Sequence, residues 1–174
     1  DVYKRQHQPF AMEIATFAPH GPSTPAVQDA NAFPGLQAPR DPAFNQPDAP
    51  TAPQWLRDRR PLTPKQVNQL DNQERKRAQS VQAVDRMIGD LQNALARAGQ
   101  LANTVFVFSS DNGFHLGQHE LAGGKMTSFA TDLTVPLVMT GPGIPAGRSI
   151  PQIAQNVDLA PTFTAIGGAP PLAH

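Results

Sequence analysis

The distribution of proline decides which parts of this chain can form long regular elements. Of the 19 prolines in 174 residues, 11 lie between Pro19 and Pro64, and none lies between Lys65 and Val135. Proline lacks a backbone donor and breaks the interior of a helix or a central strand. The sequence therefore predicts an irregular Pro-rich loop over residues 19–61, covering a scaffold whose long elements come later.

A long helix is predicted directly after this loop, over residues 63–98. Thr63 is a suitable N-cap, Pro64 suits the first helical position, and Gln66 completes a capping box. Apolar residues then recur at intervals of three and four, which is typical of an amphipathic helix with one buried stripe. The stripe consists of Val67, Leu70, Ala78, Val81, Val84, Ile88, Leu91, Leu95 and Ala98. Gly99 follows and is expected to end the helix.

Two apolar runs after the helix have the composition of buried strands. Residues 104–108 form a continuous β-branched and aromatic run, and residues 135–140 form a second run that ends at a Gly- and Pro-rich turn. Continuous runs of this kind are typical of strands that are buried on both faces of a parallel sheet. We assign residues 104–174 to the first of these strands, which leads into the candidate metal-site residues discussed below, and to the elements that follow it.

Two shorter elements are predicted near the ends of the chain. Apolar residues alternate within residues 7–18, which indicates a strand. The alternating residues are Phe10, Met12 and Ile14. Asp158 is placed to cap a short helix over residues 159–166, which ends at a Gly-Gly pair. Helix alternating with buried strand predicts an α/β fold, here a fragment of a mostly parallel or mixed sheet flanked by helices.

Charge and cysteine content exclude several classes of function. The chain has 14 basic and 14 acidic residues, and no basic run is longer than residues 57–60, so binding to nucleic acid is not expected. Because the chain has no cysteine, it contains no disulfide scaffold, thiolate zinc site or cysteine nucleophile. The apolar runs are too short to span a bilayer.

Both ends of the chain have features of a partial domain. The first residue is Asp1 rather than Met, and residues 1–6 follow no structural pattern. The last residues, 169–174, form a Pro-rich run without a closing element. We therefore expect residues 1–6 to be a non-native scar and the chain to belong to a longer domain.

Residues 109–119 carry the clearest chemical signal. They follow the predicted strand, and in open α/β sheets ligands bind beyond the carboxyl ends of the strands. Asp111 and Asn112 offer a carboxylate and an amide, the hard oxygen ligands that Ca²⁺ or Mg²⁺ prefers. Asp-Asn-Gly is also a common turn sequence, and taken alone the spacing favours the turn.

Lys125 and three histidines are further candidates. Lys125 follows two glycines and is either a surface lysine or a positive charge directed at an oxyanion. His20 lies between two prolines and is either an exposed loop histidine or a positioned acid or base. His115 and His119 are four residues apart, but the intervening glycine disfavours the helix that a zinc pair would need.

Several ordered motifs together resemble the sulfatase family. Residues 103–119 resemble the segment in which that family's central strand delivers an Asp-Asn pair to a calcium ion. Upstream, residues 17–22 resemble its Ala-Pro-His-x-Pro segment, and residues 80–89 resemble the helix before the metal strand. Downstream segments follow in the family's order and spacing. These are residues 124–125, 132–137, 141–147 and 156–162. The resemblance covers about residues 9–171.

The resemblance implies roles for five residues. Asp111 and Asn112 are expected to be calcium ligands, and Lys125 to contact the sulfate and the bridging oxygen. His20 is expected to contact the sulfate or assist the leaving group. Each role suits the chemistry of its residue. His115 is similar to a family histidine near the pocket mouth and is expected to contact substrate. The implied substrate is a small-molecule or glycan sulfate ester, and the family suggests an exported or lysosomal protein.

The rest of such a site is expected upstream of residue 1. The family's nucleophile is a formylglycine made from Cys or Ser in a C-x-P-S-R type motif, which this chain lacks. It also lacks the acidic pair that completes the calcium shell. We therefore expect the chain alone to be inactive and to bind Ca²⁺ weakly, because it holds two of the six to eight oxygens that Ca²⁺ takes. Residues 129–134 differ from the family's usual aromatic, acidic and Arg pattern, which leaves substrate specificity open.

Two other functions are compatible with these residues. A phosphatase or phosphonate hydrolase of the wider alkaline-phosphatase superfamily would share the fold, although such relatives often place His where this chain has Asn112. A non-catalytic sulfate- or carbohydrate-binding module would keep the scaffold without the chemistry. An upstream C-x-P-S-R motif would favour the sulfatase over both.

Overall fold

The computed structural model of the chain describes residues 9–48 and 50–170. The predicted scar at residues 1–6 lies outside these residues. Two compact units are present. The described part of the larger unit is residues 16–48 and 50–144, and that of the smaller unit is residues 9–15 with residues 145–170. None of the helices in the described ranges is both long and apolar enough to cross a membrane.

The larger unit is built on one long helix and a small sheet. Its α-helices are α1 (Gln54–Arg57), α2 (Pro64–Arg97) and α3 (Ala130–Leu133), its strands are β1 (Phe106–Ser109) and β2 (Leu137–Thr140), and short 3-10 helices lie at Val27–Asp29 and Leu101–Asn103. The described part of the smaller unit contains a 3-10 helix, Asn156–Asp158, followed by α4 (Leu159–Ile166). A helix combined with a small sheet is what an α/β fragment contains.

Helix α2 begins and ends where its local signals predict. Thr63 Oγ1 accepts a hydrogen bond from the Gln66 backbone N at 3.4 Å, and Gln66 Oε1 accepts one from the Thr63 backbone N at 2.9 Å, which forms the capping box. The helix stops at Arg97, and Gly99 adopts φ +69°, a left-handed conformation that costs glycine little. The apolar stripe is less buried than predicted: of its members, only Leu70 is fully buried.

Polar side chains of α2 hold the Pro-rich loop in place. Asp71 accepts a hydrogen bond from the backbone N of Ala38 at 3.0 Å and two more from Arg40 Nη2 at 2.6 and 2.9 Å. Gln79 Nε2 donates to two loop carbonyls at 3.0 and 2.8 Å. Arg86 donates to both carboxylate oxygens of Asp29. These side chains supply the partners that an irregular backbone lacks, so the loop lies as an ordered layer on the helix.

The sheet differs from the sequence prediction in direction and in burial. Strands β1 and β2 pair antiparallel, with Phe106 opposite Thr140 and Ser109 opposite Leu137. Within the described residues the sheet has these two strands, and side chains such as Phe108 and Val138 are exposed. The expected parallel pairing with both faces buried is therefore not what these residues form. An apolar run predicts a strand, but its direction depends on distant pairing partners.

The strand predicted within residues 7–18 is wrong for the part that the structure describes. Residues 9–18 form no strand, and Phe10, Met12 and Ile14 are exposed. Alternating apolar residues become a strand only when another strand pairs with them. The predicted short helix does form, as α4, although Asp158 acts differently from the expected cap. Its carboxylate accepts a hydrogen bond from the Gln155 backbone N at 2.7 Å, before the 3-10 helix.

Candidate functional site

The Asp-Asn loop, residues 110–119, begins directly after β1. Asp111 Oδ1 accepts a hydrogen bond from the backbone N of Asn112 at 2.9 Å, and Ser110 Oγ lies 3.4 Å from the same oxygen. The Asn112 amide is half-buried and donates from Nδ2 to the carbonyl of Gly113 at 2.9 Å. The Asp111 side chain is exposed at the end of the strand, which is where the sequence predicts a ligand site.

Lys125 meets this pair from the lysine loop, residues 122–129. Its Nζ donates a hydrogen bond to Asn112 Oδ1 at 2.9 Å. Two residues that are 13 positions apart in the chain are therefore in contact, with Asp111 beside them. The cluster combines one positive charge, one carboxylate and one amide oxygen. Groups of this kind can bind an anion and a cation next to each other.

A short backbone ladder joins the two loops. His115 N donates to the carbonyl of Gly124 at 2.8 Å, and Gly124 N donates to the carbonyl of His115 at 3.0 Å. Gly124 directly precedes Lys125, and His115 follows Asn112 by three residues. The ladder therefore sets the separation of the two loops close to the candidate side chains of Asn112 and Lys125.

Asp132 on α3 is a residue whose role the sequence did not indicate. Its carboxylate oxygens lie 2.9 and 3.1 Å from His115 Nδ1, and Oδ2 accepts from Thr127 N at 2.9 Å and from Thr127 Oγ1 at 2.8 Å. Burial disfavours the charged carboxylate and would raise its pKa. The hydrogen bonds from Thr127 and His115 outweigh burial, so the pKa of Asp132 lies below its ordinary value of 3.8. One chemical rule could have pointed to a residue such as Asp132: a buried histidine needs a hydrogen-bond acceptor.

His115 and His119 have different partners. His115 is buried and faces Asp132, and its expected contact with substrate stays a prediction. The His119 ring stacks on Phe129 with the ring centroids 3.7 Å apart, and its Nδ1 lies 2.9 Å from Asp48 Oδ2. In the described ranges, no group of three or more His, Cys, Asp or Glu residues is arranged to hold a metal ion.

His20 is exposed and has a rigid local setting. Its backbone N donates to the carbonyl of Phe17 at 2.8 Å, and its Nδ1 lies 3.0 Å from the carbonyl of Gly21. Ser23 Oγ donates to the carbonyl of Pro19 at 2.8 Å, which braces the same turn. Within the described residues, no hydrogen bond joins His20 to the Lys125 cluster.

The donor set suits part of a calcium site. Asp111 and Asn112 offer carboxylate and amide oxygens, and these are the ligand types that Ca²⁺ takes. The Asn112 amide oxygen accepts one hydrogen bond from Lys125 and has a second lone pair. Two ligands are fewer than the six to eight that Ca²⁺ needs, so the other oxygens would have to come from elsewhere.

Comparison with known proteins gives a consistent result. The Sulfatase family model matches residues 1–169. N-acetylglucosamine-6-sulfatase of Homo sapiens is 39% identical over 168 residues, which cover 95% of this chain and 30% of that protein. A putative extracellular sulfatase Sulf-1 homolog of Caenorhabditis elegans is 40% identical over 167 residues, which cover 95% of this chain and 23% of that protein. The chain spans less than a third of the length of these curated relatives.

A solved structure is also similar. It is that of BT4656 in complex with its substrate D-glucosamine-2-N,6-O-disulfate, with 36% sequence identity and a TM-score of 0.55. The similarity covers 60% of this chain and 21% of the solved chain. These matches confirm the resemblance that the ordered motifs indicate.

Proposed function

Because the chain belongs to the sulfatase family, we propose that it forms the later part of the catalytic domain of an enzyme that hydrolyses sulfate esters. One observation carries this proposal: Lys125 Nζ donates to Asn112 Oδ1 at 2.9 Å, beside Asp111. Sulfate ester cleavage builds negative charge on the sulfuryl and leaving oxygens. A preorganised cation next to a pair of metal-ligand oxygens would stabilise that charge.

Each of these residues has a role in the proposed reaction. Asp111 and Asn112 supply two oxygens to a Ca²⁺ ion, which when bound withdraws charge from the sulfuryl oxygens. Lys125 contacts the sulfate and the bridging oxygen as a point charge on a flexible stem. His20 contacts the sulfate or gives a proton to the leaving oxygen, a role that suits an imidazole near neutral pH. His115 contacts the substrate.

The other parts of the site belong to residues outside this sequence. They are the formylglycine nucleophile, formed from Cys or Ser, and the remaining calcium ligands. The strands that complete a mostly parallel or mixed sheet around β1 and β2 belong there as well. The coverage of the relatives supports this division, since they extend to more than three times the matched length.

We propose a 6-O-sulfated glucosamine as the substrate. Two similar proteins support the choice: one is named N-acetylglucosamine-6-sulfatase, and the other was solved with D-glucosamine-2-N,6-O-disulfate. The half-buried Asn112 and the exposed, charged Lys125 form polar surroundings that suit a sulfated sugar, which is hydrophilic throughout.

The test uses a longer protein that contains this chain, assayed for sulfate release from N-acetylglucosamine-6-sulfate. We expect Lys125→Ala to lower kcat/KM by roughly 100-fold to 1,000-fold, as the loss of one preorganised charge donor does. Lys65→Ala is the matched control, because Lys65 is an exposed lysine in the first turn of α2 and should leave the rate unchanged.

Three results would contradict the proposal. Faster release of phosphate from N-acetylglucosamine-6-phosphate would indicate a phosphatase of the same superfamily. Tight binding of the sulfated sugar without any release of sulfate would indicate a binding module. The 174-residue chain itself is expected to release no sulfate and to bind Ca²⁺ weakly, so robust turnover by this chain, lost in Asp111→Ala, would also count against the proposal.

A further inference from the structure

One buried carboxylate connects the two loops that carry Asn112 and Lys125. The Asp132 side chain is 2% exposed and binds Thr127 in the lysine loop and His115 in the Asp-Asn loop. Its backbone carbonyl accepts a hydrogen bond from Gly113 N at 2.8 Å. Asp132 therefore contacts the chain directly after Asn112 and again two residues after Lys125.

The backbone around Lys125 has few other restraints. Residues 122–129 form neither helix nor strand, and the Lys125 side chain is exposed. A lysine side chain loses rotamer entropy when it is fixed in one conformation. The contact between Lys125 and Asn112 consequently depends on how well the loop backbone is already held. The bonds to Asp132 and the ladder between His115 and Gly124 are the restraints closest to it.

We infer that Asp132 is a positioning residue, which holds Lys125 Nζ on Asn112 Oδ1 through its bonds to Thr127 and His115. Its catalytic consequence rests on the proposed function. Its structural part concerns this chain alone and is tested without any enzymatic activity.

The structural test measures how fast Lys125 is acetylated by limiting acetic anhydride, relative to Lys65 in the same molecule, by mass spectrometry. Asn112→Ala removes the acceptor of Lys125 and shows how large the effect of a lost contact is. We expect it to raise the acetylation ratio of Lys125 to Lys65 by roughly twofold to tenfold. Asp132→Ala should raise the ratio by a similar factor although Asp132 does not touch Lys125. An unchanged ratio in folded Asp132→Ala would overturn the inference.

Asp71→Ala is the matched control for general loosening of the fold. Asp71 is also a buried carboxylate that holds an irregular segment, but its partners are Ala38 and Arg40 in the Pro-rich loop. The acetylation ratio should stay at the wild-type value in this variant. A rise equal to that of Asp132→Ala would mean that any loss of stability exposes Lys125, and it would overturn the inference.

Two milder variants keep the test decisive if Asp132→Ala does not fold. Thr127→Val removes the hydroxyl bond to Asp132 Oδ2 and keeps the backbone bond and the side-chain shape, so the ratio should rise by a smaller factor. Asp132→Asn keeps an oxygen for Thr127 and should restore most of the wild-type ratio. An unchanged ratio in Thr127→Val would contradict the positioning role.

The catalytic test is a double-mutant cycle in a longer protein that contains this chain. Asp132→Ala, or Thr127→Val if Asp132→Ala does not fold, should lower kcat several-fold with little change in KM when Lys125 is present. The same change should have almost no further effect in the Lys125→Ala background. A purely structural role would lower kcat equally in both backgrounds and would overturn the inference. If no variant or wild type releases sulfate, the proposed function fails, while the acetylation ratios still decide the positioning role.

Discussion

The Pro-rich loop and the lysine loop are both irregular, but they are anchored in different ways. The Pro-rich loop lies along α2 and is held at several separate points, by Asp71, Gln79 and Arg86. The lysine loop is short. The backbone ladder between His115 and Gly124 ties it to the Asp-Asn loop, and one buried side chain, that of Asp132, adds bonds to Thr127 and His115. A loop that is held by several side chains tolerates the loss of one of them, whereas a loop with one buried anchoring side chain loses more stability when that side chain is removed.

We expect the largest effect from removal of the Asp132 carboxylate. Asp132→Ala leaves the buried His115 ring and both donors of the half-buried Thr127 without their acceptor. We expect the free energy of unfolding to fall by about 3 kcal/mol. Urea unfolding of the chain, followed by the far-ultraviolet circular dichroism of α2, measures this change. A loss below about 1 kcal/mol would mean that other contacts hold the loop.

The second prediction concerns the close approach of α3 to the Asp-Asn loop. A Cβ added at Gly113 would lie 2.0 Å from the backbone oxygen of Thr131, so one of the two backbones must move. We expect Gly113→Ala to cost about 2 kcal/mol in the same unfolding experiment. Gly89→Ala is the control, because the position lies within α2 with no atom within 4 Å of the added Cβ. It should stabilise the chain by roughly 0.5–1 kcal/mol.

The third prediction addresses the distributed anchoring. Asp71→Ala removes the acceptor for the Ala38 backbone N and for Arg40, whose side chain is about one-third exposed. We expect a loss of about 1–2 kcal/mol, because Arg40 can turn to solvent and the bonds of Gln79 and Arg86 remain. If this variant cost as much as Asp132→Ala, the proposed difference between the two loops would not hold.

The smallest expected effect is a dependence on pH. The pKa of Asp132 is lowered in the folded chain, because the bonds from Thr127 and His115 outweigh burial. Its contribution to stability is therefore complete above the ordinary pKa of 3.8 and is lost as the pH falls below that value. Asp132→Asn should lose less stability than the wild type between pH 5 and pH 3. The measurement is the free energy of urea unfolding at a series of pH values. If this free energy fell by the same amount in both proteins as the pH was lowered, the assignment to Asp132 would be contradicted.

Local signals in the sequence were sufficient for α2 but did not predict the short helices α1 and α3. The capping box of Thr63 and Gln66 and the position of Gly99 predict the ends of α2 to within a residue. Such signals act between residues a few positions apart, so they do not depend on the rest of the fold. The strand pattern within residues 7–18 failed for the opposite reason, since a strand exists only with a partner.

The sequence selected candidate residues for the site, whose roles stay predictions, and it gave no signal for the residue that supports them. The ordered motifs pointed to Asp111, Asn112 and Lys125, and the structure brings the last two into contact. His20 makes its contacts with its own turn, and its part in the site remains a proposal. The role of Asp132 had no signal in the spacing, because it depends on a contact with a residue 17 positions away.

Sequence patterns were sufficient to predict the long helix and the family to which the chain belongs. They also predicted an irregular loop over residues 19–61, although a 3-10 helix, Val27–Asp29, and α1 lie within it. These follow from capping residues, proline distribution and ordered motifs, all of which are properties of neighbouring residues or of their order. Three further features became visible only in the folded chain: the antiparallel pairing of β1 with β2, the burial of polar residues under the Pro-rich loop, and the contacts of Asp132. The physical reason is that each of these depends on a partner brought close by folding, and no local pattern specifies which partner that is.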